Sequence, residues 1–248
     1  MTDAQNLQNP FPGLRPFESD ENHLFFGRED QIHALLRKLR RNRFVAVVGT
    51  SGSGKSSLVR AGLLPSLHGG FMTQAGSSWR IAIFRPGNDP IGNMARSLNT
   101  PEVFGETKLP AMDQAMIIET TLRRGDLGLV EASRQVRFQP HENLLLVVDQ
   151  FEELFRFKKL VGDGDRGDEA SAFVTLLLEA AKNAQIPIYI VLTMRSDFLG
   201  ECSQFRDLPE AMNEGQYLVP RMTRDQRRTA IVGPVSYTHL TLPTKRIV

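Results

Sequence analysis

The stretch GTSGSGKSS, residues 49–57, combines glycines, hydroxyl side chains and one lysine at a spacing that can hold phosphate groups. Four residues separate Gly49 from Gly54, and Lys55 and Ser56 follow directly. Glycines let successive backbone N–H groups point at phosphate oxygens, and the N-terminus of a following helix adds positive potential. A lysine so placed reaches the outer phosphates, and the serine hydroxyl coordinates Mg²⁺. The predicted phosphate-binding residues are Gly49, Thr50, Ser51, Gly52, Ser53, Gly54, Lys55, Ser56 and Ser57.

A second functional group lies in LLLVVDQFEEL, residues 144–154, where an apolar run ends in Asp149. An acid at the carboxyl end of a buried strand is the usual Mg²⁺ ligand of nucleotide-hydrolysing proteins with this loop, so Asp149 and Ser56 are the predicted metal ligands. Glu152 and Glu153 follow within one turn, and either carboxylate could activate a water molecule. The alternative is that both only complement the N-terminus of the next helix. A water activator is needed near the metal, which favours catalysis by at least one of them.

The segment LTMRSD, residues 192–197, places one more basic side chain at the predicted edge of the sheet. Arg195 follows an apolar run that reads as a strand, so its guanidinium could contact the terminal phosphate and respond to its presence. An ordinary surface arginine in a loop is the alternative.

Strands alternate with helices along the chain, which predicts an α/β fold with a parallel sheet covered on both faces. An apolar strand before the phosphate loop and a helix after it disfavour the alternative of a Gly/Ser linker that matches by chance. We therefore expect a three-layer α/β/α P-loop NTPase fold with a mostly parallel sheet of about five strands. The predicted strands are 44–48, 80–84, 144–148, 186–193 and 216–220, and the predicted helices are 29–41, 55–64 with a stop near Pro65, 90–99, 111–123, 126–137 and 170–182.

Several motifs in order resemble one family. FFGRE (residues 25–29), GTSGSGKS, DQFEEL and TMR together resemble the STAND NTPases, signal-transduction ATPases related to the AAA+ group. NPFPGLRPF at residues 9–17, RFVAVVG, LVVDQFEELF and MRSDFLG look like the bacterial group called novel STAND NTPase 1. The resemblance covers about residues 9–234.

The resemblance implies ATP or ADP with Mg²⁺ as the bound groups. It implies a base pocket bordered by Phe25, Phe26, Gly27 and Arg28. Its NACHT-type acidic motif ends at the equivalent of Glu153, which makes that residue the expected water activator, with Glu152 supporting the metal or its waters. The nucleotide-sensing arginine of the family matches Arg195.

The resemblance further implies a slowly hydrolysing signalling switch. The start of the chain lacks the basic and apolar regions of a signal peptide, and Cys202 is the only cysteine, so we expect a cytoplasmic protein. The expected partners are C-terminal winged-helix and sensor or repeat domains missing from this fragment, and further copies of the protein upon activation. Two alternatives stay open: a steadily cycling AAA+ remodelling ATPase, and a scaffold that binds nucleotide without hydrolysis.

The C-terminal segment VSYTHLTLPTKRIV, residues 235–248, resembles the translation of a sequencing-library adapter. We therefore expect a Pro-rich lead-in at 1–24, an NTPase domain at 25–220, the start of a truncated helical domain at 221–234 and a non-native tail at 235–248. Without the tail's Lys245 and Arg246 the chain has 28 basic and 28 acidic residues. No net charge then indicates nucleic-acid binding, and no apolar run approaches the length of a membrane-spanning helix.

Overall fold

The central element is a five-stranded sheet in which every pairing is parallel. A computed structural model describes residues 9–68, 78–105, 110–136, 138–139, 141–156 and 165–240. The strand order is β2-β3-β4-β1-β5, and the predicted α/β fold with about five strands is confirmed. The strands are β1 Phe44–Gly49, β2 Ser78–Phe84, β3 Glu142–Val148, β4 Ile188–Arg195 and β5 Gln216–Leu218.

Helices cover both faces of the sheet and connect its parallel strands. The helix α2 changes geometry along its length: it is α-helical at Lys55–Ser57, π-helical at Leu58–Leu63 and α-helical again at Leu64–His68. Two 3₁₀ helices lie at Ser19–Leu24 and Ser196–Gln204. Further helices are α1 Glu29–Asn42, α3 Pro90–Leu98, α4 Ala111–Leu122, α5 Gly128–Arg134, α6 Asp165–Lys182, α7 Leu208–Gly215 and α8 Arg224–Leu240.

Alternate residues of the central strands enter two separate hydrophobic cores. Val45 and Val47 of β1 pack with α1 and α2 on one face, whereas Ala46 and Val48 pack with helices α3 to α7 on the other. Both faces are buried, so the strands read as continuous apolar runs instead of alternating ones. The three-layer arrangement follows from this double burial.

One predicted boundary is wrong, because α2 does not stop near Pro65 but continues to His68. Proline has no backbone N–H and usually ends a helix. Pro65 follows a π turn, in which each backbone N–H donates to the carbonyl five residues earlier. The Leu64 N–H, for example, donates to the Val59 carbonyl. The corresponding acceptor for residue 65, the carbonyl of Arg60, takes a hydrogen bond from the Ser19 hydroxyl at 2.9 Å instead.

The helix α8 crosses the expected junction between native sequence and tail, since it includes Pro234 and ends at Leu240. Val235 is 38% exposed, and Ser236 is also exposed. Residues 241–248 lie outside the described residues. The adapter origin of residues 235–248 therefore stays a prediction. No helix in the described ranges is long and apolar enough to cross a membrane.

Candidate functional site

The phosphate loop connects β1 to α2 at the carboxyl edge of the sheet. Gly52 and Gly54 have φ of +73° and +84°, a left-handed conformation that only glycine adopts without strain. The Lys55 ammonium folds over the loop and donates to the carbonyls of Gly49 at 3.0 Å and Thr50 at 2.9 Å. Burial lowers the pKa of Lys55, and the negative charge of Glu152 opposes this shift. The lysine therefore lies over the surface where the backbone amides would hold phosphates.

The two predicted metal ligands meet across the sheet edge. The Ser56 hydroxyl donates to Asp149 Oδ1 at 2.8 Å, and the Thr193 hydroxyl donates to the same oxygen at 2.6 Å. Thr193 can reach Asp149 because β4 lies between β1 and β3. The Gln150 backbone N–H donates to the Thr193 hydroxyl at 3.0 Å, which fixes that hydroxyl's orientation. Asp149 itself is 1% exposed.

These oxygens fit a Mg²⁺ site that is completed by nucleotide and water. Mg²⁺ prefers hard oxygen ligands, and it is commonly held by one or two protein groups plus substrate phosphates. Ser56 and Asp149 supply such a pair, 2.8 Å apart. Among the residues that the structure describes, no group of three or more His, Cys, Asp or Glu residues could enclose a metal ion. The donor set therefore suits a Mg²⁺ that is bound together with nucleotide.

The two neighbouring glutamates point in different directions. Glu152 is 6% exposed, and its carboxylate accepts a long hydrogen bond of 3.4 Å from the Arg195 backbone N–H. The half-buried Glu153 accepts from the Gly87 backbone N–H, in the loop after β2, at 3.0 Å. The Gln150 amide, oriented to satisfy both of its ends, also donates to Glu153 at 3.1 Å. Glu152 thus faces Lys55 and Arg195, whereas Glu153 lies toward β2.

Arg195 ends β4 on the same edge, as its position in the sequence predicts. Its guanidinium forms an ion pair with Asp197 and lies 5.7 Å from the centre of the Phe198 ring. The side chain is 33% exposed, and its buried Nε has no hydrogen-bond partner within the described part of the chain. In this arrangement the guanidinium is held by its own loop beside Glu152.

The FFGRE segment lies between the phosphate loop and α8. The buried Arg28 donates to the Pro220 carbonyl at 2.9 Å and to the Ser53 carbonyl at 3.4 Å, and so connects the loop to the end of β5. Gly27 has φ of +81°, and a Cβ there would lie 2.4 Å from the Gln226 carbonyl oxygen in α8. The backbone of the segment therefore lies so close to the backbone of α8 that no side chain fits at residue 27.

The two phenylalanines of this segment contact different elements. The Phe25 ring meets the Phe17 ring edge-on, with the centres 5.7 Å apart, and it contacts the site of Gly62 in α2. The Phe26 ring lies against Gly233, where a Cβ would be 2.7 Å from it. Both side chains are half-buried.

The structure adds a contact that sequence reasoning missed. Arg60 of α2 donates to Asp149 Oδ2 at 3.1 Å and to the carboxylate of Glu18 at 2.8 Å. Arg60 follows the predicted metal ligand Ser56 by four residues, so the helical repeat places both on one face and could have indicated this contact. Glu18 lies 42 residues away from Arg60, and no local pattern indicates it.

Comparisons with solved structures show the same fold at low sequence identity. The structure of the Aeropyrum pernix ORC2 protein, in ADPNP–ADP complexes, matches with a TM-score of 0.55 and 12% identity, over 92% of this chain and 55% of that one. The Walker-type ATPase PABY2304 of Pyrococcus abyssi matches with a TM-score of 0.50 and 14% identity, over 93% and 63%. This chain thus spans less than two thirds of either protein.

Sequence comparison supplies the family. No curated protein matches the chain. The sequence model of the family described as Novel STAND NTPase 1 matches residues 10–248, which is nearly the whole chain. The expected resemblance is confirmed, and the chain belongs to the novel STAND NTPase 1 family.

Proposed function

We propose that this chain binds ATP or ADP together with Mg²⁺, hydrolyses ATP slowly, and serves as the nucleotide-controlled switch of a signalling protein. The observation that carries the proposal is the meeting of the Ser56 and Thr193 hydroxyls on one oxygen of Asp149. That contact joins the ends of three neighbouring strands beside the phosphate loop. Ligands of open parallel sheets bind at this edge.

The residues around the proposed phosphate site have distinct tasks in this proposal. The loop amides and Lys55 bind the phosphates, and Lys55 exchanges its two carbonyl acceptors for phosphate oxygens, which are charged and therefore stronger acceptors. Ser56 and Asp149 hold Mg²⁺, which when bound neutralises charge on the outer phosphates. Thr193 keeps the Asp149 carboxylate in the orientation that faces Ser56.

The two glutamates divide the work on the attacking water. Glu153 is half-buried and held by the Gly87 N–H, so it combines access to water with a fixed position. We assign it as the general base that takes the proton from water. Glu152 is nearly fully buried beside Lys55 and the Arg195 backbone. Its negative charge keeps these groups in place and supports the metal and its waters.

The base of the nucleotide lies against the FFGRE segment in this proposal. Phe25 and Phe26 offer half-buried aromatic surface, and Arg28 fixes the segment to the phosphate loop through the Ser53 carbonyl. The family resemblance supports adenine as the base. Because Gly27 and Phe26 also touch α8, a nucleotide that shifts this segment would shift the helix as well.

That coupling supports the switch. Ordering of the site by the terminal phosphate and Mg²⁺ would bias the position of α8, and through it any domains beyond. The proposed partners are winged-helix and sensor or repeat domains of the same protein, and further copies of the protein when it is activated. Arg195 serves as the residue that senses the terminal phosphate.

Two measurements on the full chain test the proposal. Titration calorimetry should give tight binding of ATP with Mg²⁺ and much weaker binding without it. Single-turnover hydrolysis should be slow, and ADP should be retained afterwards. Rapid, continuous turnover would support a remodelling ATPase instead, and tight binding without any phosphate release would support a scaffold.

A further inference from the structure

The side chain of Arg60 bridges two carboxylates at the proposed metal site. Its Nη2 lies 3.1 Å from Asp149 Oδ2, and its Nη1 lies 2.8 and 3.0 Å from the two oxygens of Glu18. The Asp149 side chain is 2% exposed, and the Glu18 side chain is 46% exposed. One cation therefore connects a buried carboxylate to an exposed one.

Arg60 supplies the positive charge that a buried Asp149 requires. One oxygen of this carboxylate is taken by two neutral hydroxyls, and the other by the guanidinium. A buried carboxylate without a cationic partner is costly. A divalent cation bound to Asp149 would bring two positive charges close to that guanidinium. Arg60 and the metal ion therefore compete for the same carboxylate.

Glu18 can receive the guanidinium when it leaves Asp149. Residues 16–24, which we call the N-terminal strap, lie over α2. The Phe17 N–H donates to the Ser57 hydroxyl at 3.1 Å, and the Ser19 hydroxyl donates to the Arg60 carbonyl at 2.9 Å. These contacts hold Glu18 beside Arg60 whether or not the guanidinium touches Asp149. No acceptor among the described residues bonds the buried Nε of Arg60, so no bond from that part of the chain holds this nitrogen in place.

We infer that Arg60 is a positioning residue that takes the place of the cation at Asp149 when the metal is absent and moves onto Glu18 when the metal binds. The N-terminal strap thereby sets the metal affinity of the site. This inference rests on the proposed function, since it requires Asp149 to be a metal ligand.

The test measures Mn²⁺ binding to the full chain without nucleotide. The electron paramagnetic resonance signal of free Mn²⁺ reports how much of the ion stays unbound. Arg60→Gln removes the competing cation and should tighten Mn²⁺ binding about tenfold, the scale of one hydrogen bond to a charged group. Glu18→Gln removes the carboxylate that receives the displaced Arg60 guanidinium. Mn²⁺ then displaces Arg60 from Asp149 less easily, so Mn²⁺ binding should weaken about threefold. The matched control is Asp20→Asn, which removes another acidic charge of the strap that does not contact Arg60, and should leave the affinity unchanged.

Opposite signs for the first two variants distinguish this role from a merely structural one, because general loosening of the site would weaken binding in both. In the Arg60→Gln background, Glu18→Gln should have no effect, since the two residues act through each other. Mn²⁺ affinity that is unchanged or weaker in Arg60→Gln, with folding verified by circular dichroism, would overturn the inference. An equal loss of Mn²⁺ affinity in Glu18→Gln and Asp20→Asn would overturn the inference as well. If Arg60→Gln does not fold, the comparison of these two variants tests the inference by itself.

Asp149→Asn separates this inference from the proposed function. If it abolishes Mn²⁺ binding while Arg60→Gln leaves binding unchanged, Asp149 is a ligand and only the role of Arg60 fails. If it leaves Mn²⁺ binding intact, the metal assignment fails, and the inference about Arg60 fails with it.

Discussion

The two ends of the proposed nucleotide site are built from different parts of the molecule. The phosphate end, Lys55 and Ser56 with Asp149 and Thr193, is held by the ends of the three central strands, whose two faces are both buried. The base end, Phe25–Arg28, is held by the N-terminal strap on one side and by α8 on the other. It contributes no strand to the sheet.

Under the proposed function, this difference separates the chemistry of the site from its signalling. Side chains at the ends of packed strands keep fixed distances, which catalysis and metal binding require. A segment held by a helix and a strap can move together with them, which a switch requires. Changes at the phosphate end should therefore alter affinity or rate without altering stability, whereas changes at the base end should alter stability and the position of α8.

The largest expected effect is on hydrolysis at the phosphate end. Glu153→Gln should slow single-turnover hydrolysis about 10²–10⁴-fold, the usual range for loss of a general base, and should leave ATP affinity nearly unchanged. The matched control is Glu119→Gln, which changes a helix-surface carboxylate paired with Arg123 and should not affect the rate.

Glu152→Gln completes the same experiment. If Glu152 supports the metal and the positive groups around it, this variant should weaken binding of ATP with Mg²⁺ as well as slow hydrolysis. A full loss of rate in Glu152→Gln together with parent-like hydrolysis in Glu153→Gln would exchange the two roles.

Lys55→Ala should have the next largest effect. Loss of its charge-assisted bonds to phosphate should weaken ATP binding about 100-fold by calorimetry, without a change in melting temperature. Lys182→Ala is the control, because this lysine forms only surface ion pairs at the other edge of the sheet. Parent-like ATP affinity of Lys55→Ala would contradict the assignment of the phosphate loop.

At the base end, Gly27→Ala should destabilise the protein by about 1–3 kcal/mol, measured by urea unfolding. The alanine would have to keep φ at +81° and place its Cβ against the α8 backbone, 2.4 Å from Gln226 O. Gly105→Ala is the matched control, since Gly105 has φ of +82° and a Cβ there meets no atom within 4 Å. Equal stability of both variants would show that α8 is not tightly seated on the segment.

The choice of base is a smaller expected effect. Competition binding should favour ATP over GTP and CTP by about tenfold, the scale of one or two hydrogen bonds to the base edge. Equal affinity for the three nucleotides would contradict a role of Phe25 and Phe26 in an adenine pocket.

The smallest expected effect is at the C-terminus. Removal of residues 235–248 should leave the melting temperature within experimental error, since Val235 and Ser236 are exposed at the start of this segment. A fall of about 2 °C or more, the scale of about 1 kcal/mol for a chain of this length, would show that the segment is a native part of the fold.

The phosphate end could be predicted from sequence because its residues directly follow apolar strands. Lys55, Ser56 and Asp149 come together through the rule that parallel strands present their carboxyl ends at one edge. The bridge from Arg60 to Glu18 could not be predicted, since Glu18 lies 42 positions before Arg60 and the strap has no periodic pattern. The opposite directions of Glu152 and Glu153 depend on side-chain rotamers and on the loop at Gly87, which no local pattern specifies.

The sequence also did not predict that α2 continues past Pro65, because this again depends on a contact with a distant residue. A proline in a helical pattern predicts a stop, and the sequence carries no sign that a π turn precedes it. The Ser19 hydroxyl bonds the Arg60 carbonyl, the acceptor that an N–H at residue 65 would otherwise take in that turn. Tertiary packing therefore decided this boundary against local preference.

The π turn at Leu58–Leu63 also affects which side chains of α2 face the site and which face the core. A π turn is equivalent to the insertion of one residue into an α-helix, and one residue rotates everything beyond it by about 100°. Arg60 can then aim at Asp149 while Leu64 and Leu67, within the next two turns, remain buried against the sheet. A chain shortened by one residue within this turn would keep the helix but lose that phase difference, so either the core or the arginine would be misaligned.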